Sequence, residues 1–164
     1  MVMIRGRDRL NNGHLHVYES SRYGFLVVWS TRVFSREIKR GRFYNFSLSD
    51  NANQLVVAFE NEKKEGVAQI FRVKFSRGAY RYSQVGPDYK VSFPLANVQI
   101  SNDGNVVLMT VNNRELKAYR YNSFSQGYEQ TGQTVFLDGR SPPQLALSRD
   151  GSTFTAAGYT ATTV

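Results

Sequence analysis

The sequence contains no cysteine, a single tryptophan (Trp29), four prolines and two histidines. Without cysteine there can be no disulfide framework, no thiol nucleophile and no cysteine-based zinc site. Long apolar runs are missing as well. The longest, residues 25–29, is far short of the ~20 apolar residues that a helical membrane span requires. Residues 1–9 alternate Arg with short apolar stretches and lack a signal-peptide apolar region. These absences lead us to expect no membrane association, with a cytoplasmic or particle-borne chain as the default. No Gly-x-Ser-x-Gly elbow, His-Glu-x-x-His helix or phosphate-cradling glycine loop is present, so catalysis is not expected. No stretch of a dozen residues has the apolar spacing of an amphipathic helix; residues 33–43 come nearest and match it poorly.

Acidic residues are scarce. Thirteen Asp/Glu face 21 Lys/Arg, for a net charge of +8. The excess is concentrated in residues 1–42, where nine Lys/Arg against three Asp/Glu account for +6. Arg5, Arg7, Arg9, Arg32, Arg36, Lys39, Arg40 and Arg42 form a candidate contact for an acidic partner or for nucleic acid, with Tyr23, Phe25, Trp29, Phe43 and Tyr44 nearby as stacking surfaces.

The chain has 10 Tyr, 11 Phe and 13 Gly in 164 residues, a composition that fits pleated, half-buried strands broken by frequent turns. It is long enough for one domain with a sizeable core. A turn element recurs three times, as Ser49-Asp50-Asn51, Ser101-Asn102-Asp103-Gly104 and Ser148-Arg149-Asp150-Gly151, at serine spacings of 52 and 47 residues. Such a period is the mark of stacked supersecondary units. Asp50, Asp103 and Asp150 are expected to form the turns through backbone hydrogen bonds, with Gly104 and Gly151 supplying the positive φ. Each turn leads into a first strand, at residues 54–59, 105–110 and 152–157, whose apolar or small residues predict burial on both faces. Second strands follow, with Leu15/Val17, Ala68/Ile70 and Leu116/Ala118 on their packed faces. Third strands surround Gly24-Phe25, Tyr80–Tyr82 and Tyr128, and fourth strands are expected at residues 31–34, 89–93 and 133–136.

The expected fold is therefore all-β, a propeller-type array of three four-stranded blade equivalents within a single domain, residues 1–164. The units are residues 47–95, residues 96–143, and residues 144–164 joined to residues 1–46. Three blades are too few for a closed ring. Two copies joined head to tail would give six, each end half-blade (residues 1–25 and 144–164) pairing with the other chain. Membership of a larger propeller or a heteromeric ring is the rival arrangement.

The run from Gly127-Tyr128 through Gly132-Gln-Thr-Val135 to Leu145-Ala-Leu-Ser148-Arg-Asp150-Gly151 resembles FG-GAP-like and WD-repeat-like propeller blades. The Phe-Gly pair and the Asp-x-Asp-x-Asp-Gly calcium loop of the former are missing, so calcium binding is not carried over. The resemblance implies binding or structural roles; with the blade count, the expected chain is a non-catalytic structural or protein-interaction module without a cofactor, a homo-oligomer or one subunit of a larger assembly. A basic nucleic-acid binder and a glycan-binding lectin are the alternatives, the latter with Tyr80/Tyr82 and Tyr119/Tyr121 lining sugar pockets. His14 and His16 share one side of a strand, a spacing that can chelate a transition metal, but no third ligand follows them.

Overall fold

The computed structural model describes residues 2–7, 13–21, 24–31, 43–61, 63–76, 79–91, 97–111, 114–137 and 144–157. All regular structure among them is β, in antiparallel sheets. No helix among the described residues is long and apolar enough to cross a membrane.

Sheet I comprises β1 (Val2–Arg7), β2 (Gly13–Ser21) and β3 (Gly24–Thr31), in that order. Sheet II orders β4 (Phe43–Leu48), β5 (Gln54–Glu60), β6 (Gly66–Ser76) and β7 (Ala79–Gln84), with β8 (Tyr89–Lys90) also paired to β6. Sheet III contains β9 (Val98–Ile100), β10 (Val106–Val111), β11 (Glu115–Asn122) and β12 (Gly127–Phe136). Sheet IV is the pair β13 (Gln144–Leu147) and β14 (Phe154–Ala157).

Burial follows the apolar pattern of the strands. Every residue of β5 and of β10 is buried, as the continuous runs predict. Val56 and Ala58 of β5 meet Val107 and Met109 of β10 in the main core, with Ala68, Ile70, Val98 and Ile100 around them. Leu55, Val57 and Phe59 point the other way, into a second cluster with Val67. Leu108, on the far face of β10, packs with Leu116 and Leu145 against sheet IV. The core thus runs through the sheets, and each fully buried Leu, Ile, Met or Phe contributes roughly 1.5–3 kcal/mol. In contrast, β14 is mostly exposed, because Phe154-Thr-Ala-Ala157 offers little apolar volume.

Two strand assignments need correction. The strand lying before each turn, β4, β9 or β13, is a member of its sheet in its own right and pairs with the strand after the turn. The expected fourth strand is instead a continuation of the third along the same edge of its neighbour. Residues 133–136 belong to β12, which runs beside β11 across a register shift between Leu116 and Ala118. In sheet II the same path is split, with β7 beside the second half of β6 and β8 beside its first half. Gly132 (φ +69°) and Gly86 (φ +76°) lie at the two breaks, where the chain takes a conformation that side chains resist. At the other end, β1 and β3 occupy the two edges of β2, so β1 takes the place beside β2 expected for a strand from the far end of a chain.

Candidate functional site at the row of turns

The three serine turns fold alike. In each, the serine N–H bonds the carbonyl five residues on: Ser49 to Gln54, Ser101 to Val106, Ser148 to Thr153. The serine Oγ accepts the N–H of that same residue, at 3.0, 2.9 and 2.9 Å. It donates to a side-chain oxygen two residues later: Asn51 (2.9 Å), Asp103 (2.5 Å) or Asp150 (2.8 Å). That oxygen in turn accepts the N–H of Asn53, Asn105 or Ser152. Ala52, Gly104 and Gly151 close the loops at φ +53°, +74° and +70°. Asp103, Gly104, Asp150 and Gly151 therefore play the expected turn roles.

Asp50 does not. Asn51 occupies its expected place, and Asp50 corresponds to Asn102 and Arg149, one residue earlier in the motif. These middle residues connect one turn to the next. The Asp50 N–H donates to the Asn102 carbonyl (3.0 Å), and the Asn102 N–H donates to the Arg149 carbonyl (2.9 Å). Asn102 Nδ2 also donates to Asp50 Oδ2 at 2.6 Å. The alternation of Asp, Asn and Arg concealed a shared role, because the backbone makes the rungs. Below the row, β4 and β9 are bridged by Asn45 Nδ2 to Asn97 Oδ1 (2.7 Å) and by Ser47 to Gln99.

The row borders an open cleft of about 390 Å³ lined by Asp50, Asn51, Asn102, Asp103, Arg149 and Asp150. Its carboxylates differ in what holds them. Burial pushes the Asp103 carboxyl up, but hydrogen bonds from Ser101 and Asn105, with Arg120 nearby, outweigh it and leave it below the usual range. Both of its oxygens are engaged. Hydrogen bonds from the Ser152 N–H, the Ser148 hydroxyl and the Ser152 hydroxyl draw Asp150 down to about 2. Asp50 accepts one hydrogen bond, at Oδ2, and its Oδ1 is unengaged among the described residues. Arg149 is exposed on the same wall. The cleft thus combines fixed anions, amide donors and acceptors, one guanidinium and one carboxylate with an oxygen unengaged among the described residues.

Tyrosines anchor the turns from the third strands. The Tyr82 hydroxyl donates to the Ala52 carbonyl, and the Tyr128 hydroxyl to that of Gly104 (2.5 Å). Burial raises both phenols, Tyr82 to about 12, so they remain donors at any ordinary pH. Tyr119 and Tyr121 pack against the main core, Tyr121 edge-on to Tyr128 and beneath the Arg72 guanidinium at 4.6 Å. These tyrosines are packing and anchoring groups.

Other sequence candidates are placed only in part. Arg5 and Arg7 lie on β1, opposite Leu15 and Gly13, and His14 and His16 lie on β2, opposite Gly6 and Ile4. Arg9, Arg32, Arg36, Lys39, Arg40 and Arg42 lie outside the described residues. Among the described residues no group of three or more His, Asp or Glu could hold a metal ion.

No protein-family model matches the chain, and no curated protein matches it. Its fold is shared with solved structures. One is a putative 6-phosphogluconolactonase from Bacteroides uniformis ATCC 8492, with a TM-score of 0.55, 18% identity, and coverage of 77% of this chain and 35% of that one. Another is a putative 6-phosphogluconolactonase from Bacteroides fragilis NCTC 9343, with a TM-score of 0.54, 14% identity, and coverage of 77% and 34%. The chain spans about a third of the length of these structures. The resemblance to FG-GAP-like and WD-repeat-like blades is thereby corrected. It rested on the Ser-x-Asp-Gly turn, a self-contained hydrogen-bonded loop that any antiparallel sheet can use, and the fold matches are putative lactonases instead. The expected function, a non-catalytic structural, assembly or interaction module, falls with it. The absence of familiar catalytic motifs excluded only motif-borne chemistry, since carboxylates and guanidinia can be gathered by the fold from distant turns. What the comparisons establish for this chain is an all-β fold shared with putative 6-phosphogluconolactonases.

Proposed function

We propose that this chain hydrolyses, or forms part of an enzyme that hydrolyses, a sugar lactone in the cleft along the turns. The observation that carries the reading is the convergence of Asp50, Asn102 and Arg149 on one open cleft, in a fold shared with putative 6-phosphogluconolactonases. Lactone opening needs a base for the attacking water, a cation or N–H donor for the oxygen that gains charge, and polar groups for the ring hydroxyls. Asp50 takes the proton from water, and the water oxygen adds to the lactone carbonyl carbon. Arg149 stabilises the oxyanion. Collapse of the adduct breaks the ring C–O bond, and the released alkoxide takes up a proton to give the open hydroxy acid. Asn51 and Asn102 hold hydroxyl groups. Asp103 and Asp150 are weaker bases, because donors already satisfy their charge, and they remain anionic.

Three carboxylates against one guanidinium favour an uncharged lactone ring in the cleft, with any phosphate lying outside it. The assay is acid release from glucono-lactone and 6-phosphoglucono-lactone, measured against spontaneous hydrolysis. Catalysis at least as fast on the unphosphorylated ring is expected, and Arg149→Met should lower kcat by about 10²-fold. Rates equal to the uncatalysed reaction on both lactones would reject the reading.

The finer arrangement belongs with this proposal: a single domain of propeller-type units at residues 47–95 and 96–143, and a third joining residues 144–164 to residues 1–46. Three like turns and the stacking of sheets II, III and IV support it. In that arrangement the joint between the ends would fall at β1, which pairs with β2.

A further inference from the structure

We infer that Asn102 is the positioning residue for the Asp50 carboxylate, a role that rests on the lactone reading proposed above. Each serine turn holds one side chain in its own hydrogen-bonded ring: Asn51, Asp103 or Asp150. The residue just before it, Asp50, Asn102 or Arg149, is left outside that ring. Asp50 therefore receives nothing from the Ser49 hydroxyl, which bonds Asn51 and Gln54 instead. Among the described residues its side chain has one donor, Asn102 Nδ2 at 2.6 Å, reaching across from the next turn.

That bond bears directly on the chemistry. A carboxylate turns about its Cβ–Cγ bond in a broad, roughly two-fold well. An oxygen that takes a proton from water needs one fixed place, since a displacement of about 1 Å can cost about 10²-fold in rate. Asn102 engages Oδ2 and leaves Oδ1 for the water, so it selects which oxygen acts as the base. The backbone of Asn102 suits it to this task. Asn102 is half-buried, its carbonyl accepts the Asp50 N–H (3.0 Å), and its own N–H donates to the Arg149 carbonyl (2.9 Å). One residue thus ties the base to the residue that meets the oxyanion. With its main chain held on both sides, only a short side chain remains to be ordered, at small entropic cost. The charged groups that share the cleft with Asp50 are Arg149, Asp103 and Asp150. Neither anion can donate to Asp50, and no bond joins it to Arg149 among the described residues. The second Nδ2 hydrogen and the Oδ1 of Asn102 remain for a substrate hydroxyl.

The test follows glucono-lactone opening by the intact chain carrying Asn102→Ala or Asn102→Asp. Both substitutions keep the rungs, which are backbone bonds, so Tm should stay at the wild-type value. Loss of the donor should lower kcat about 10-fold in Asn102→Ala, while KM changes by less than about twofold. Asn102→Asp should be at least as slow, because its carboxylate accepts sugar hydroxyls well but repels the Asp50 oxygen. A residue that merely holds a hydroxyl behaves in the opposite way. Asn102→Ala would then raise KM with kcat unchanged, and Asn102→Asp would recover part of the loss; either result overturns the inference. So does a fall in kcat matched by a fall in Tm, which makes the role structural. Wild-type rates equal to spontaneous hydrolysis would instead reject the lactone reading itself, and Asn102 would lose its role with it.

Discussion

The two contacts between successive sheets begin identically and end very differently. Sheets II and III are joined by a turn rung and enclose a large core in which Val56, Ala58, Ala68, Ile70, Val98, Val107 and Met109 are all fully buried. Sheets III and IV are joined by the same rung, yet among the described residues only Leu108, Leu116 and Leu145 form the buried centre between them. Backbone hydrogen bonds therefore set the spacing of the array, while side-chain volume decides how much stability each contact yields. The lesson extends to function, because the cleft needs the spacing and sheet IV needs only enough core to hold Arg149 in place.

The largest expected effect separates the two contacts directly. Met109→Ala removes a side chain with no exposure from the sheet II–III core and should destabilise by about 2–5 kcal/mol. Leu145→Ala, at the edge of the thinner contact, should lie at or below about 2 kcal/mol. Urea unfolding of both variants measures the difference, and equal losses would mean that sheet IV is packed as tightly as its neighbour.

The turns offer a finer comparison. A Cβ on Gly104 would stand 2.3 Å from the Gln54 side chain, and one on Gly151 would stand 2.6 Å from that of Val106. Gln54 and Val106 are equivalent residues, so each sheet tucks the same position beneath the next turn. Gly104→Ala therefore meets both a positive φ and a filled space, and should cost about 1–3 kcal/mol. Ala52 already carries a methyl group at φ +53°. Ala52→Gly should stabilise by up to about 1 kcal/mol, because relief of the left-handed strain exceeds the added chain entropy. Thermal melts of the pair should shift in opposite directions.

Smaller still is the effect of pH. Asp103 and Asp150 have folded values below those of an unfolded chain, Asp150 at about 2. Their contribution is complete above the unfolded carboxylate value of about 4 and is lost as pH falls through the folded values. Asn51, which fills the same role in the first turn, does not titrate. Stability should decline between about pH 4 and pH 2, and Asp103→Asn with Asp150→Asn should flatten that decline. An unchanged acid limb would show that the turns are not its source.

Much of this comparison was legible in the sequence. The continuous apolar runs of β5 and β10 and the Ser-x-Asp-Gly turns are local signals, and the structure places them where their chemistry demands. The strands β9 and β13 were hidden because three or four residues give too short a pattern to read. The division of the third and fourth strands failed because Gly132 and Gly86 signal a break in the chain without saying that it continues along the same edge. The candidate cleft was illegible for a different reason. Asp50, Asn102 and Arg149 share no side-chain chemistry, and only the rungs between sheets bring them to one wall. The fold likeness to putative lactonases had no counterpart in any motif of the chain.

The most direct test of the functional account is the rate of glucono-lactone opening by Asp50→Asn beside the wild-type chain, at equal concentration and near neutral pH. Loss of the base should lower kcat by about 10²–10⁴-fold while the melting temperature stays close to wild type. A variant as fast as the wild-type chain would contradict the assignment of Asp50 and, with it, the cleft at the turns as the place where the lactone is opened.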